Sequence, residues 1–209
     1  MSAVKFFLSL AAAACMSLSL SACSSRQTDY YMLNSEPSAL NMDHMPRTTM
    51  VVDEIAMPGY LDRNNIVVRD AGGSHLAVAN FNIWAEPLQH GMQRVLAEQL
   101  TEPLLGTGVT VLPYQSNAVA AAYALHIELL RLDADRNGHV AMESRWTLID
   151  VRGNRVVDRG SFASTETVDM PAFGSREMFT TIVAAESRLV RQFGDRLAAV
   201  LPGTLRRTK

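Results

Sequence analysis

Two cysteines, Cys15 and Cys23, are all that 209 residues contain. Both sit near the start, so the body of the chain has no disulfide, no thiolate metal site and no cysteine nucleophile. Long apolar runs are scarce too. The stretch from Phe6 to Leu20 is about 15 residues, short of the roughly 20 that cross a bilayer core as a helix. Excess charge of one sign is missing: 19 Lys and Arg against 21 Asp and Glu leave −2. That excludes the basic footprint of a nucleic-acid binder. The five histidines, His44, His75, His90, His126 and His139, show no metal-ligand spacing. There is no Gly-x-Ser-x-Gly elbow, and Gly106-Thr107-Gly108 lacks the lysine and following helix of a phosphate-cradling loop. No catalytic residue is assigned, no cofactor and no metal is expected, and the reading is of a protein that is not an enzyme.

What is present begins with an unusual first 22 residues. Lys5 is their only charge, an apolar middle follows, and small residues lead into Leu20-Ser21-Ala22-Cys23. A positive start, a short apolar core and small residues before a cut site describe a secretory signal. Leu20 three positions before Cys23, then two small residues, resembles the bacterial lipobox. The expected processing is cleavage after Ala22 and acylation of Cys23, followed by a polar tether over residues 23–28. Each buried methylene contributes about 0.8 kcal/mol, so two or three acyl chains hold a protein at a membrane. Ser24 after the cysteine, rather than Asp, resembles outer-membrane sorting signals. Removing residues 1–22 leaves 187 of 209 residues and, with Lys5 gone, a formal charge of −3. That length suits one periplasmic domain, here given the bounds 29–203, with 204–209 as a solvated basic tail.

The body reads as an α/β domain. Tyr30 to Leu33, Met50 to Ile55, Ile66 to Arg69 and Leu76 to Ala79 are short β-rich runs, with loop over 34–48 and a Pro58-Gly59 turn. Leu88, Met92, Val95, Leu96 and Leu100 recur at three- and four-residue steps, which predicts a helix with one apolar face after Pro87. Val109 to Leu112 returns to strand. Tyr123, Leu125, Ile127 and Leu129 alternate with polar or small residues, as do Val140 to Leu148 after Asn137-Gly138, and a third run spans Arg155 to Thr167. Three such runs joined by tight turns predict an antiparallel meander with one wet face. Ser175 can cap a last helix, lined by Phe179, Ile182, Val183, Leu189, Val190, Phe193 and Leu197 and stopped at Pro202-Gly203. The expected fold is therefore a mixed, largely antiparallel sheet packed on one face by two helices.

Asp133-Ala134-Asp135-Arg136-Asn137-Gly138 matches the first half of a calcium loop, but its twelfth position is Ser144 where a bidentate Glu should stand. Alternating flanks favour an Asn-Gly hairpin turn instead. Two further segments combine aromatic, charged and turn-forming residues: Pro58-Gly59-Tyr60-Leu61-Asp62-Arg63 and Trp84-Ala85-Glu86-Pro87-Leu88. Each reads either as a core aromatic beside a turn or as a contact surface. Spacing alone leaves both open, and Tyr60, Leu61, Asp62, Arg63, Trp84 and Glu86 stand as candidate partner-binding residues.

Those same segments, with the lipobox, Tyr30-Tyr31-Met32-Leu33, Asn64 to Arg69, Arg94, Leu96 and Arg145-Trp146-Thr147-Leu148, resemble the PqiC/YmbA family of transport auxiliary lipoproteins. The resemblance implies an outer-membrane-anchored periplasmic lipoprotein. In that picture it docks an MCE-domain transport protein that moves lipids between membranes and preserves envelope integrity. It also implies no catalysis, contact with phospholipid, and a homo-oligomer fitted to a ring-shaped partner. The alternatives are an independent lipid-carrying lipoprotein and a periplasmic hydrolase.

Overall fold

The computed structural model describes residues 26–35, 46, 48–70, 73–113 and 120–207. The signal segment, Cys23, Thr208 and Lys209 lie outside them, as does most of the loop expected over 34–48. Eight strands form one mixed sheet: β1 (Asp29–Tyr31), β2 (Thr48–Ala56), β3 (Asn65–Arg69), β4 (Leu76–Trp84), β5 (Val109–Pro113), β6 (Tyr123–Asp135), β7 (His139–Asp150) and β8 (Arg155–Thr167). Helix α1 (Leu88–Leu105) and helix α2 (Arg176–Arg207) cover one face.

The sheet forks at β6. One edge of β6 carries the antiparallel β6–β7–β8 meander read from the alternation. The other edge carries two strands placed end to end, both parallel to β6. β2 pairs up to Ala56↔Glu128, and β3 resumes with Val68↔Ala134 and Arg69↔Asp135. Beyond them the lower branch adds β5, parallel to β2, and the upper branch adds β4 and β1. The segment 57–64 therefore leaves the sheet at the fork.

Core residues follow the periods that predicted the elements. Leu125, Ile127 and Leu129 of β6, and Val140, Met142, Trp146 and Leu148 of β7, meet Met92, Leu96, Leu100, Phe179, Ile182, Leu189 and Phe193 from the helices. Glu128 and Arg145 pair across the opposite, wet face at 3.3 Å. Gln93 shows how a polar residue enters the core: its amide donates to the carbonyls of Asp53 (2.8 Å) and Val52 (3.4 Å), beside the bulge in β2. A bulge leaves backbone groups off the ladder, and the amide supplies what they lack. The Ser175 hydroxyl accepts from Met178 N at 3.1 Å, the expected N-cap of α2.

The hairpin reading of 133–138 holds. The Asp135 carboxylate accepts from the backbone of Asn137 (2.8 Å) and His139 (3.0 Å), an Asx-type turn. Gly138 sits at φ +85°, and a Cβ there would lie 2.0 Å from the Val168 carbonyl oxygen. Only glycine fits.

Two expectations are corrected. α2 does not stop at Pro202-Gly203 but runs through them to Arg207. Leu205 is 1% exposed, and the Thr204 hydroxyl donates to Asp158 at 2.7 Å. Tertiary contact thus outweighs the hydrogen bond lost at Pro202. The expected solvated tail is helical and partly core as far as Leu205. The strand expected over 76–79 extends to Trp84, because Asn82, which interrupts the apolar pattern, is buried and accepts from the Tyr31 hydroxyl at 3.2 Å.

Candidate functional site

The fork gathers the two segments singled out by sequence. In 57–64, Leu61 N and Asp62 N both bond to the Pro58 carbonyl, which folds Tyr60 and Leu61 inward and leaves Asp62 and Arg63 outside. The end of β4 joins the same place, since Trp84 N donates to the Asn64 carbonyl at 2.6 Å. Trp84 is 7% and Leu61 5% exposed. Neither presents its side chain to a partner while the fold is intact, so the core reading fits Trp84. Tyr60 is half-buried. Glu86 turns away to α1, where Arg94 holds it at 2.7 Å and also donates to the Leu33 carbonyl at 3.0 Å. Of the six candidates, Asp62 and Arg63 face solvent.

Under the loop lies a cluster that sequence reading missed. Asp133 is fully buried on β6, pointing away from the core residues Leu132 and Ala134 beside it. Arg69 grips it with two bonds, Nε to Oδ1 at 3.1 Å and Nη2 to Oδ2 at 2.6 Å. Arg131 Nε donates to Oδ1 at 3.0 Å, and the Tyr60 hydroxyl to Oδ2 at 2.9 Å. The Arg69 guanidinium stands 5.5 Å from the Tyr60 ring centre. Burial pushes the Asp133 carboxyl up, but the bonds from Arg69, Arg131 and Tyr60 outweigh it and hold the group below its ordinary range. Burial, then the charge of Asp133, push the Tyr60 phenol up to about 12.

At neutral pH this is a carboxylate with every strong acceptor direction filled and a phenol that keeps its proton. It is a clamp on the loop, with neither a general base nor a free ligand oxygen. The same bonds remove Asp133 from any calcium site, and among the described residues no three His, Cys, Asp or Glu side chains converge as metal ligands would. The signal available in sequence was Arg131 and Asp133, an opposite-charge pair two residues apart on one strand face. Arg69 and Tyr60 reach them only through the fold.

Behind the clamp, on α2, Glu186 is 2% exposed and its Oε2 has no hydrogen-bond partner among the described residues. Burial, reinforced by the charge of Asp133, raises its carboxyl well above the usual range.

A family model described as the ABC-type transport auxiliary lipoprotein component matches residues 31–198, a stretch that includes the fork, the clamp and most of α2. The chain belongs to this family. The auxiliary lipoprotein is also similar to the intermembrane transport lipoprotein PqiC of Escherichia coli K12, 27% identical over 97 residues, and equally to that of Shigella flexneri. The match covers 46% of this chain and 49% of the relative, so the chain spans about half the length of the curated relatives it matches. Among solved structures, a protein described only as uncharacterized superposes with TM-score 0.66 at 18% identity, over 84% of this chain and 99% of that one. Protein XCC0632 from Xanthomonas campestris gives 0.62 at 17%, over 86% and 98%. Both share the fold. Membership makes this auxiliary lipoprotein a membrane-associated component of a transport system, named for an accessory role and for no catalysis.

Proposed function

We propose that the chain is the docking subunit of an MCE-type intermembrane lipid transport system. It is held at the outer membrane by acyl chains on Cys23, its domain lies in the periplasm, and it serves envelope integrity without doing chemistry. The observation that carries this reading is the family match over 31–198, joined by the likeness to PqiC. The geometry of the fork supports it. A loop whose root is locked by Tyr60, Arg69, Arg131 and Asp133 presents Asp62 and Arg63 with little conformational entropy left to lose, which favours a protein contact. The exposed face of the β6–β7–β8 meander is polar, as suits a wet or transient interface.

Independent lipid carriage would need a cavity on the scale of an acyl chain, and two grooves among the described residues are smaller than that. One beside β4 encloses about 170 Å³ and one beside the end of α2 about 190 Å³. Sites that engulf a small molecule run to roughly 300–1,000 Å³. Several copies arranged as a ring would match a ring-shaped partner. Gel filtration of the acylated chain in detergent tests that arrangement, and a monomer at all concentrations would rule it out.

The proposal is tested by reversing the exposed charge. Arg63→Glu is expected to leave folding within about 0.5 kcal/mol of wild type, as surface changes do. It is also expected to reduce recovery of an MCE-domain protein with the tagged lipoprotein. Undiminished recovery would remove the loop from the interface. Absence of any MCE-domain protein with wild type would remove the docking role.

A further inference from the structure

One end of the sheet gathers exposed aromatic and apolar side chains beneath guanidiniums. The end of β3, the start of β4, the β6–β7 hairpin and the turn before α2 meet there, and the described chain enters beside them at Arg26. Phe173 is 54% exposed, Val78 39% and Phe81 37%. With Phe179 they line the groove of about 170 Å³. Two guanidiniums lie on these rings: Arg26 is 5.7 Å from the Phe81 centroid, and Arg136 4.0 Å from that of Phe173. Arg26 also donates to the Gly174 carbonyl at 3.2 Å. Arg136 is ion-paired with Asp70, while Arg26 has no carboxylate partner among the described residues.

Exposed rings under guanidiniums make an amphipathic edge, with an apolar body and a cationic rim on one short front. That is the chemistry of the boundary between lipid headgroups and acyl chains, where ring systems bury and arginines snorkel to phosphate. Chain length supplies the second argument. Arg26 is three residues from Cys23, so the Arg26 Cα, at this end, lies within about 11 Å of that residue's Cα however the segment runs. The opposite end, where Val151 and Val156 flank the β7–β8 turn, is a full sheet length farther away.

We propose that this end of the domain is seated on the phospholipid bilayer, with Val78, Phe81 and Phe173 in the headgroup–acyl boundary and Arg26 and Arg136 donating to lipid phosphates. The proposal rests on the reading that Cys23 is acylated. It makes the anchor more than a leash: the domain is held at a fixed tilt, with the β7–β8 turn pointing away from the membrane.

The test uses the full-length lipoprotein with Phe173→Cys or Val156→Cys, spin-labelled and reconstituted in vesicles of phosphatidylethanolamine and phosphatidylglycerol. Mass spectrometry first reports whether Cys23 carries lipid or label. The expected result is an acylated Cys23, loss of broadening by an aqueous nickel complex at 173, and full broadening at 156. An acylated chain with both labels open to nickel would overturn the seating and leave the anchor standing. A labelled, lipid-free Cys23 would overturn both. Protection at 173 accompanied by dipolar broadening between labels would identify a second copy as the occupant, and would also overturn it. Arg26→Glu is expected to restore nickel access at 173, and unchanged protection would remove the phosphate contact.

Discussion

Replacing Tyr60 by Phe removes one hydroxyl and nothing else, so it isolates the bond from the fork loop to Asp133. That bond is 2.9 Å long and ends on a carboxylate with no exposure. Hydrogen bonds to charged groups contribute about 1.5–3 kcal/mol. The lower figure applies, because Arg69 and Arg131 continue to pair Asp133 and no charge is orphaned. For a domain of this size about 1.5 kcal/mol lowers Tm by roughly 3–6 °C. Tyr60→Ala also removes the ring beside the Arg69 guanidinium and should cost about 3 kcal/mol. Differential scanning calorimetry of the two variants reads both values. The alkaline limb supplies an independent check. The phenol's value is raised from 10.0 to about 12 in the folded chain. Its contribution is therefore fully present below pH 10 and is lost as pH rises through about 12. Wild type should show that loss, and Tyr60→Phe should keep only the smaller part contributed by Tyr31, whose phenol is also raised by burial. A Tyr60→Phe variant with unchanged Tm and an unchanged alkaline limb would refute the clamp and return Tyr60 to the candidate contact residues.

Three further outcomes are expected. Glu186 has a raised folded value, so its favourable contribution is complete below the unfolded value near 4.5 and is lost as pH rises toward the folded one. Urea melts of Glu186→Gln should accordingly lack a downward slope that wild type shows above pH 4.5, and parallel curves would contradict this. Asp133→Asn should show the opposite window: the depressed carboxyl stabilises above about pH 3.9, and that support disappears as pH falls through the folded value. Wild type and variant should converge in acid, and a gap that persists there would point to packing instead. Gly138→Ala should cost more than about 2 kcal/mol, since backbone at both φ +85° and the Val168 carbonyl must move, while Gly59→Ala, with open space around it, should change little. Chemical denaturation of the pair distinguishes them, and equal stabilities would undo the argument from Gly138.

Much of the fold was legible because burial and secondary structure share a period. The alternation of Leu125, Ile127 and Leu129, and the three- and four-residue steps of Phe179 to Leu197, each imply one buried face and one partner layer. What local pattern hid was decided by distant contacts. Pro202 breaks a helix locally, yet Leu205 finds the core beyond it. Asn80 and Asn82 look like the end of a strand, yet Tyr31, some fifty residues earlier, satisfies Asn82. The segments holding Tyr60 and Trp84 were legible as candidates, and their side chains' burial was not. It follows from the fork, which no single segment encodes. The turn after Asp133 was legible, since the missing twelfth ligand argues against a calcium loop. The role of Asp133 was not, because its partners Arg69 and Tyr60 lie 64 and 73 residues away.

The docking role is tested most directly by a photo-crosslinking amino acid at position 63 of the full-length lipoprotein in living cells, with the same group at Val156 as a control. Illumination should yield a covalent adduct at 63 whose partner is an MCE-domain protein of the envelope. Adducts at 63 that contain only other copies of this chain, or only the proteins also caught by a control lipoprotein, would contradict the account.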